Sequence, residues 1–590
     1  MLIAWVNNRW INEVERADLI ATYSEYLAML DAEYPDMDAM PTEVMADYIE
    51  RATELERLRR IHRCESDQLE FALEYFSEAR NPGNDGNWDG FDVEKAEDAP
   101  EFHKELTGIM NTVSTKQVNA KIAAAAPRSH GKSTWLSKGF PVHEVAYRKR
   151  KYIIIISETP SVSKANMEWI RNQLKFNDKL RQDFGPLLSP KDQANIQDNS
   201  ESFIAWHPEG DRRKQLALVE AASTGQALRG RNWNGSRPDL IICDDLEDAR
   251  PGGNASTQEQ RTKLRDWFSQ TVMPLGDPKG RRTAFVVMGT TVHVSSLLMH
   301  ILHERSDFQS KIYRAVIQDP VNTELWEQCR EIYIERENPN RKEDTEKFYR
   351  DNEESLLEGS KVLWPEVQPL LKLMMWKWDN GSKAFNTEYM NNPIDEESMI
   401  YNPDTFTYYN VIDTSSEDFF ISMGVDFAFG RQNGDFSAIA VVARHKENGI
   451  IYVVDSFVER LPVDKFFEVV VDRVMEWQPD VIAADANAAQ EFMAKQLGDD
   501  LQKQGYPAST RLKQIKNRTK KELRIEAMKP DIENGTIRFH RKFSRMLEQF
   551  ERYDGRGGFF DDAIDSLNMA VMTAAKSSRR KGGTVGTYRY

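Results

Sequence analysis

The chain opens with a helical pattern. Through residues 10–80 apolar positions recur at spacings of three and four without alternation, as in INEVERADLIATYSEYLAML and EVMADYIERATELERLRRI, which predicts helices. NPGNDGNWDG (81–90) is dense in turn formers and predicts a boundary. From about residue 119 the pattern changes to short apolar runs separated by amphipathic helical stretches: KIAAAA, YIIIIS (152–157), DLIICDD (239–245) and AFVVMG (284–289). Such runs are the mark of parallel strands buried on both faces, so an α/β unit with a mostly parallel sheet is expected. Residues 305–400 are charged and aromatic and predict few strands, and YNPDTFTYYN (401–410) predicts a linker. Near 419 a second strand-rich block begins. FFISMGVDFAF, DFSAIAVVAR and GIIYVVDSFV read as three strands, the last two joined through HKENG. A helix (VDKFFEVVVDRVMEWQ), a strand (DVIAAD, 480–485) and further helices follow. No internal repeat is visible.

Length and charge refine this outline. At roughly 100–200 residues per domain, 590 residues make about three domains. The expected division is an acidic helical segment (1–100), a first α/β unit with an associated lid or linker subdomain (101–400), a linker (401–418), a second unit (419–575) and a flexible tail (576–590). With 40% hydrophobic and 29% charged residues the composition is globular. The net charge of −16 argues at first against a nucleic-acid partner, but it is unevenly placed. Residues 1–100 hold 9 Lys and Arg against 24 Asp and Glu, and the remainder is nearly neutral. The acidic segment reads as a surface for a protein partner. KSSRRKGGTVGTYRY at the other end carries five basic residues and no acid, and predicts disorder. No run approaches 18 apolar residues, and MLIAWVNNRW lacks the basic start of a signal peptide, so no membrane association is expected. Cys64, Cys243 and Cys329 are far apart, which speaks against a disulfide framework or a zinc site and for a reducing cytoplasm.

Two motifs carry chemistry. After KIAAAA comes Ala126-Pro127-Arg128-Ser129-His130-Gly131-Lys132-Ser133-Thr134 and then a helix-compatible run. A strand, a loop ending in Gly-Lys-Ser and a helix surround phosphates with backbone N–H groups. Lys132 then reaches the β and γ oxygens of ATP, and the Ser133 hydroxyl can ligate Mg²⁺. Ala126 stands where the usual loop has its first Gly. The strand Asp239–Cys243 runs into Asp244, Asp245 and Glu247. Phosphoryl transfer needs one strand-tip carboxylate for Mg²⁺ and a second acid to orient the attacking water. Asp244 takes the first role, and Asp245 the second with Glu247 as its rival. Thr290, in the strand end Gly289-Thr290-Thr291, can sense the γ-phosphate. Loop and acids together predict ATP hydrolysis.

The second motif is a set of scattered carboxylates. Asp426 lies within an apolar strand, a costly position unless the acid is paired or binds metal. Asp485 ends the fourth strand of the block, and Asp561, Asp562 and Asp565 open its last helix on one side. Acids on strand one, strand four and a late helix form the layout of a nuclease with two Mg²⁺ or Mn²⁺ ions about 4 Å apart. Which acid of the last group binds metal is left open. Asp435 follows Asn433-Gly434 and reads as a turn residue. Lys516, Arg518, Lys520, Lys521 and Arg524 form a basic run that could track DNA phosphates.

The ordered series resembles the large terminase subunit of tailed bacteriophages across roughly residues 100–575. It comprises Pro127 to Ser133, Leu228-Arg229-Gly230-Arg231, Arg237-Pro238-Asp239-Leu240 with the Asp pair, and Gly289-Thr290-Thr291. It continues with Leu363-Trp364-Pro365-Glu366, Phe385 to Met390, Gly424-Val425-Asp426 and Phe560-Asp561-Asp562. The resemblance implies a P-loop ATPase followed by an RNase H-like nuclease. Such a motor docks at the portal of a procapsid in the host cytoplasm, pumps in double-stranded DNA and cuts the concatemer. A small terminase subunit and a homo-oligomeric ring, commonly a pentamer, are the implied partners. It further implies that Arg128 assists hydrolysis, that Gly289-Thr290-Thr291 couples hydrolysis to movement, and that Phe102-His103 lies near the adenine. Asp426, Asp485 and an Asp of the 561–562 pair match the metal ligands, although the family often has Glu at the position of Asp485. A DNA helicase-nuclease of repair or recombination shares both chemistries, but no second helicase core with its own strand set is visible.

Overall fold

The structure, a computed structural model, describes residues 2–578 apart from 7–8, 89–92, 336, 394–398, 428–435, 486–487, 516–520 and 555–559; the side chains of 2–3, 404, 485, 488–494 and 576–578 are likewise outside the description. The expected turn residue Asp435, three members of the basic run (Lys516, Arg518, Lys520) and most of the tail therefore lie outside the described residues. By contact the chain divides into two compact units, Met1–Ile394 and Asp395–Tyr590.

In the first unit, β1 (Leu2–Val6) and β2 (Arg9–Asn12) pair antiparallel and lead into helices Glu13–Glu33, Thr42–Cys64 and Gln68–Phe76, where the three-four periodicity predicts helices. Asn12 starts the first of these with a reciprocal cap: its side chain accepts from Glu15 N–H while the Glu15 carboxylate accepts from Asn12 N–H. Two arginines of this segment are engaged in part-buried pairs. Arg60 grips the buried Asp183 with two bonds of 2.9 and 2.8 Å, and Tyr75 donates to the same carboxylate at 2.6 Å. Arg80 pairs with Glu70 at 2.7 Å. The segment's apolar residues, among them Leu58, Ile61, Phe71 and Phe76, share one core with the central sheet.

That sheet contains β3 (Lys121–Ala125), β4 (Tyr152–Ser157), β5 (Ser202–Glu209), β6 (Arg212–Ser223), β7 (Leu240–Asp244), β8 (Ala284–Gly289) and β9 (Gln309–Ile312), in the order β5-β6-β4-β7-β8-β3-β9. Every pairing is parallel except β5 with β6. The run YIIIIS shows why such strands are continuously apolar. Ile153 and Ile155 pack into the core that holds Phe71, whereas Ile154 and Ile156 pack on the other face with Leu264 and Phe268. Each fully buried isoleucine contributes about 1.5–3 kcal/mol. Because β8 lies between β7 and β3, the C-terminal ends of three strands meet at one edge, the place where open α/β sheets bind ligands. Two short strands, β10 (Val316–Gln318) and β11 (Lys361–Val362), pair beyond it.

The second unit is a seven-stranded mixed sheet. Its strands are β12 (Thr407–Tyr408), β13 (Phe419–Asp426), β14 (Ser437–His445), β15 (Ile451–Glu459), β16 (Val481–Asp485), β17 (Leu512–Ile515) and β18 (Ile537–Phe539), in the order β12-β18-β15-β14-β13-β16-β17. Strands β13 to β15 form an antiparallel meander, and β16 adds to β13 in parallel. Residues 401–410, read as linker from their turn-rich composition, bury Tyr401 and Phe406 and supply the edge strand β12. Helix Val463–Trp477 covers one face through Phe466, Val470 and Val474, and helix Asp562–Ser578 covers the other through Ile564, Leu567 and Val571.

Gly424 sets the approach of that last helix. A Cβ there would lie 1.9 Å from the backbone oxygen of Ser566, so only glycine lets the helix settle on β13 two residues from Asp426. Among the described residues no helix is long and apolar enough to cross a membrane. Gly424→Ala is expected to destabilise the second unit by about 1–3 kcal/mol, since the obstructing atom is backbone and cannot rotate away; a lowered thermal or urea midpoint checks this.

Candidate active sites

The first site forms where β3, β7 and β8 end. The Ala126 N–H closes β3 onto the Gly289 carbonyl at 2.9 Å, and the loop that follows turns through left-handed conformations at Ser129 (φ 59°) and Gly131 (φ 75°). Such alternation curls backbone N–H groups toward one point and makes an anion nest. Thr134 begins a widened helical turn, Thr134–Gly139, that runs on into helix Phe140–Ala146. Three predicted residues meet beside the loop. The Lys132 ammonium donates to Thr290 Oγ1 at 3.1 Å and pairs with Asp245 Oδ2 at 3.0 Å, while Asp245 Oδ1 accepts the Thr290 N–H at 3.0 Å. Asp245 sits at φ 44°, a strained value for a non-glycine residue. A shallow cleft opens alongside, lined by Asp245, Glu247, Gly289, Thr290 and Leu298 among others.

The neighbouring acids are placed differently. Asp244 is buried and accepts from Ser133 Oγ at 3.0 Å and Ser137 Oγ at 2.7 Å. Burial, and next the charge of Asp245, raise its pKa above the usual carboxylate value. Glu247 directs both oxygens to the start of helix Leu297–Glu304, accepting the N–H groups of Leu297 (2.6 Å) and Leu298 (2.8 Å). That is a helix-cap geometry, and burial raises its pKa as well.

The flanks of the loop are also in place. Arg128 is largely exposed and its guanidinium lies 3.5 Å from Glu388, while its N–H donates to the Glu388 carbonyl at 2.9 Å. His130 is wholly buried under the loop, with Nδ1 2.8 Å from the Arg128 carbonyl and its ring near those of Phe102, Trp364 and Tyr389. Burial lowers its pKa to about 4, so it is neutral and serves the loop from below. Phe102 and His103 are buried in the same aromatic cluster and offer no open face to a base.

Sequence reasoning missed Asn391, whose Oδ1 accepts from Thr291 N–H (3.0 Å) and Thr291 Oγ1 (3.3 Å) while Nδ2 donates to the Tyr313 carbonyl (2.7 Å). It also missed Gln368, which donates to the Ser129 carbonyl at 3.3 Å. Both tie residues distant in sequence to the loop and to the end of β8. The turn-forming Asn391-Asn392-Pro393 was the one available signal for the first.

The second site lies at the end of β13 and β16. Val425 pairs with Ala484 in parallel register, which brings Asp426 and Asp485 to adjacent strand ends; the Asp485 side chain is outside the described residues. Across from them stands the start of helix Asp562–Ser578. Asp562 is buried and accepts the Phe436 N–H at 3.1 Å. Asp561 and Asp565 face Lys521, whose ammonium lies 2.8 Å from Asp561 Oδ1 and 3.5 Å from Asp565 Oδ2; Arg524 pairs with Asp565 at 3.2 Å. Burial alone would lower the Lys521 pKa, but Asp565, Asp561 and Asp426 outweigh it and the pKa is raised. The two described members of the basic run toward its end thus turn toward the acids.

Both sites suit divalent cations in donor type. Hard carboxylate and hydroxyl oxygens come together at Ser133 and Asp244, and at the second site an ammonium already lies among carboxylates. Among the described residues, however, no three such side chains gather ready-made around one point.

The chain is therefore an α/β protein of two units, one built around a phosphate-loop edge and the other RNase H-like. Residues 423–574 match the family model of the terminase RNaseH-like domain, which bears out the resemblance to large terminase subunits over this span. Among solved structures, the large terminase of bacteriophage HK97 is 11% identical over 86% of this chain and 99% of its own, with a TM-score of 0.29. The manganese-soaked human cytomegalovirus terminase nuclease domain is 15% identical over 32% and 97%, TM-score 0.24. A Thermus phage large terminase ATPase domain is 12% identical over 49% and 97%, TM-score 0.26. Scores of this size carry no weight by themselves, and the assignment rests on the domain match. No curated protein matches the chain in sequence.

Asp244→Asn tests the electrostatics of the first site. A folded-state carboxyl that titrates above its unfolded value costs stability as pH rises past the unfolded pKa. Asparagine removes that cost, so the nucleotide-free protein is expected to gain about 1–3 kcal/mol at neutral pH, read as a raised melting temperature.

Proposed function

We propose that the chain is a viral DNA-packaging motor that carries its own nuclease. The first unit hydrolyses ATP to drive double-stranded DNA through a portal into a procapsid, and the second cuts the concatemer. The observation that carries the reading is a terminase-type RNaseH-like domain in the same chain as a phosphate loop whose lysine meets a strand-end acid. The ring of subunits, commonly a pentamer, the small terminase subunit and the host cytoplasm as the place of action belong to the same reading.

In the first unit the loop N–H groups from Ser129 to Thr134 take the phosphate oxygens. Lys132 exchanges Asp245 and Thr290 for the β and γ oxygens. Asp245, released from the lysine, is free to accept a hydrogen bond from the attacking water and orient it. Glu247 holds the neighbouring helix in place, and its engagement there favours Asp245 for the water. Arg128, exposed at the loop, can turn from Glu388 toward charge developing on the γ-phosphate. Ser133 and Asp244 would hold Mg²⁺. Thr290 and Thr291 report the state of the γ-phosphate through Asn391 to the segment that also contacts Arg128. In the second unit Asp426, Asp485 and Asp562, with Asp561 and Asp565 beside them, would hold two Mg²⁺ or Mn²⁺ ions. Such ions, when bound, activate water and neutralise the leaving oxygen.

Lys132→Ala is expected to abolish ATP turnover and ATP-dependent protection of DNA by empty procapsids while leaving metal-dependent nicking of plasmid DNA. Asp426→Ala is expected to do the reverse, with cleavage lowered at least about a hundredfold and ATPase retained. Intact ATPase in the first variant, or unaltered cleavage in the second, overturns the corresponding assignment.

A further inference from the structure

An exposed arginine of the second unit is held between two aromatic rings at the rim of the acid centre. The Arg460 guanidinium carbon lies 4.2 Å from the ring centroid of Phe436 and 4.9 Å from that of Phe560, and the two rings meet edge to face at 4.9 Å. Three stretches of chain build this stack. Ser437 pairs with Glu459 in the antiparallel register of β14 and β15, so Phe436 and Arg460, one step further, stand side by side past the strand ends. Phe560 comes from just before helix Asp562–Ser578, and its ring is 39% exposed.

The stack adjoins the carboxylates on two sides. The Phe436 N–H donates to Asp562 Oδ2 at 3.1 Å, and Phe560 directly precedes Asp561 in the chain. Ala438, two residues beyond Phe436, is the register partner of Asp426. A centre built of acids repels the DNA backbone, so a strand brought to it needs a cation at the rim. Stacking engages the faces of a guanidinium and fixes its plane, while its N–H groups bond within that plane. A guanidinium oriented in advance loses less freedom on meeting a phosphate, whose oxygens it takes in pairs. Rings beside an arginine are also a surface on which nucleic-acid bases stack.

We propose that Arg460, oriented by Phe436 and Phe560, binds a backbone phosphate of DNA and so delivers the neighbouring phosphodiester to the acid centre. This rests on the nuclease reading above.

The test uses the intact chain as wild type, Arg460→Gln, Arg460→Lys and Phe560→Leu. Binding of a DNA duplex in EDTA is measured against salt concentration, and cleavage of plasmid DNA with Mg²⁺ gives KM and kcat. Arg460→Gln is expected to raise KM about tenfold, to lower kcat much less, and to reduce the salt slope of binding by about one. Arg460→Lys keeps the slope and recovers part of the affinity, since the charge remains and the planar fork does not. Phe560→Leu raises KM with the slope unchanged, because the charge is present but no longer held in plane. Unchanged KM and slope in Arg460→Gln, whatever its melting temperature, overturn the proposal. If the wild type binds the duplex but does not cut plasmid, the nuclease reading falls and the slopes in EDTA alone decide the phosphate contact. If it neither binds nor cuts, both fall.

Discussion

An apolar strand buried on both faces can carry charge only at its end, because an ion in mid-strand has neither water nor a partner. Both units are organised by this constraint. In the first, β7 is apolar through Cys243 and then releases Asp244 and Asp245, while β3 and β8 end in the phosphate loop and in Thr290. In the second, β13 and β16 run apolar to Asp426 and Asp485. Parallel register then does the rest: strands that start level also finish level, so their polar ends collect along one edge.

What gathers at each edge is a set of carboxylates held by a lysine. Lys132 bridges Asp245 and Thr290, and Lys521 lies between Asp561 and Asp565. The two lysines differ in origin. Lys132 belongs to the loop that defines its site, whereas Lys521 comes from a helix in a run that reads as surface.

The N-terminal segment shows how a net charge misleads. Its acidity is plain in the composition, but the partners of its basic residues are not. Arg60 is engaged by Asp183 of a later helix, and Arg80 by Glu70 of the segment itself. A part-buried arginine of this kind contributes little net stability, yet breaking the pair would strand Asp183 in the core.

Much of the outline was legible in the chain itself. The runs KIAAAA, YIIIIS, DLIICDD and AFVVMG are strands, as their shortness and their spacing by helical stretches predict, and the Gly-Lys-Ser loop and the strand-end acids follow from their order. Gly424, two residues before Asp426, was visible as a motif, but its reason, the backbone of Ser566 above it, was not. The edge strand β12, the cap role of Glu247 and the grip of Asn391 on Thr291 depend on partners 50 to 131 residues away. Local pattern carries no information about such contacts, since a side chain looks the same in sequence whether it meets water or a distant backbone. Sequence therefore determined which residues could carry the chemistry. Only the tertiary structure decided which of them face a common point and which are already engaged elsewhere.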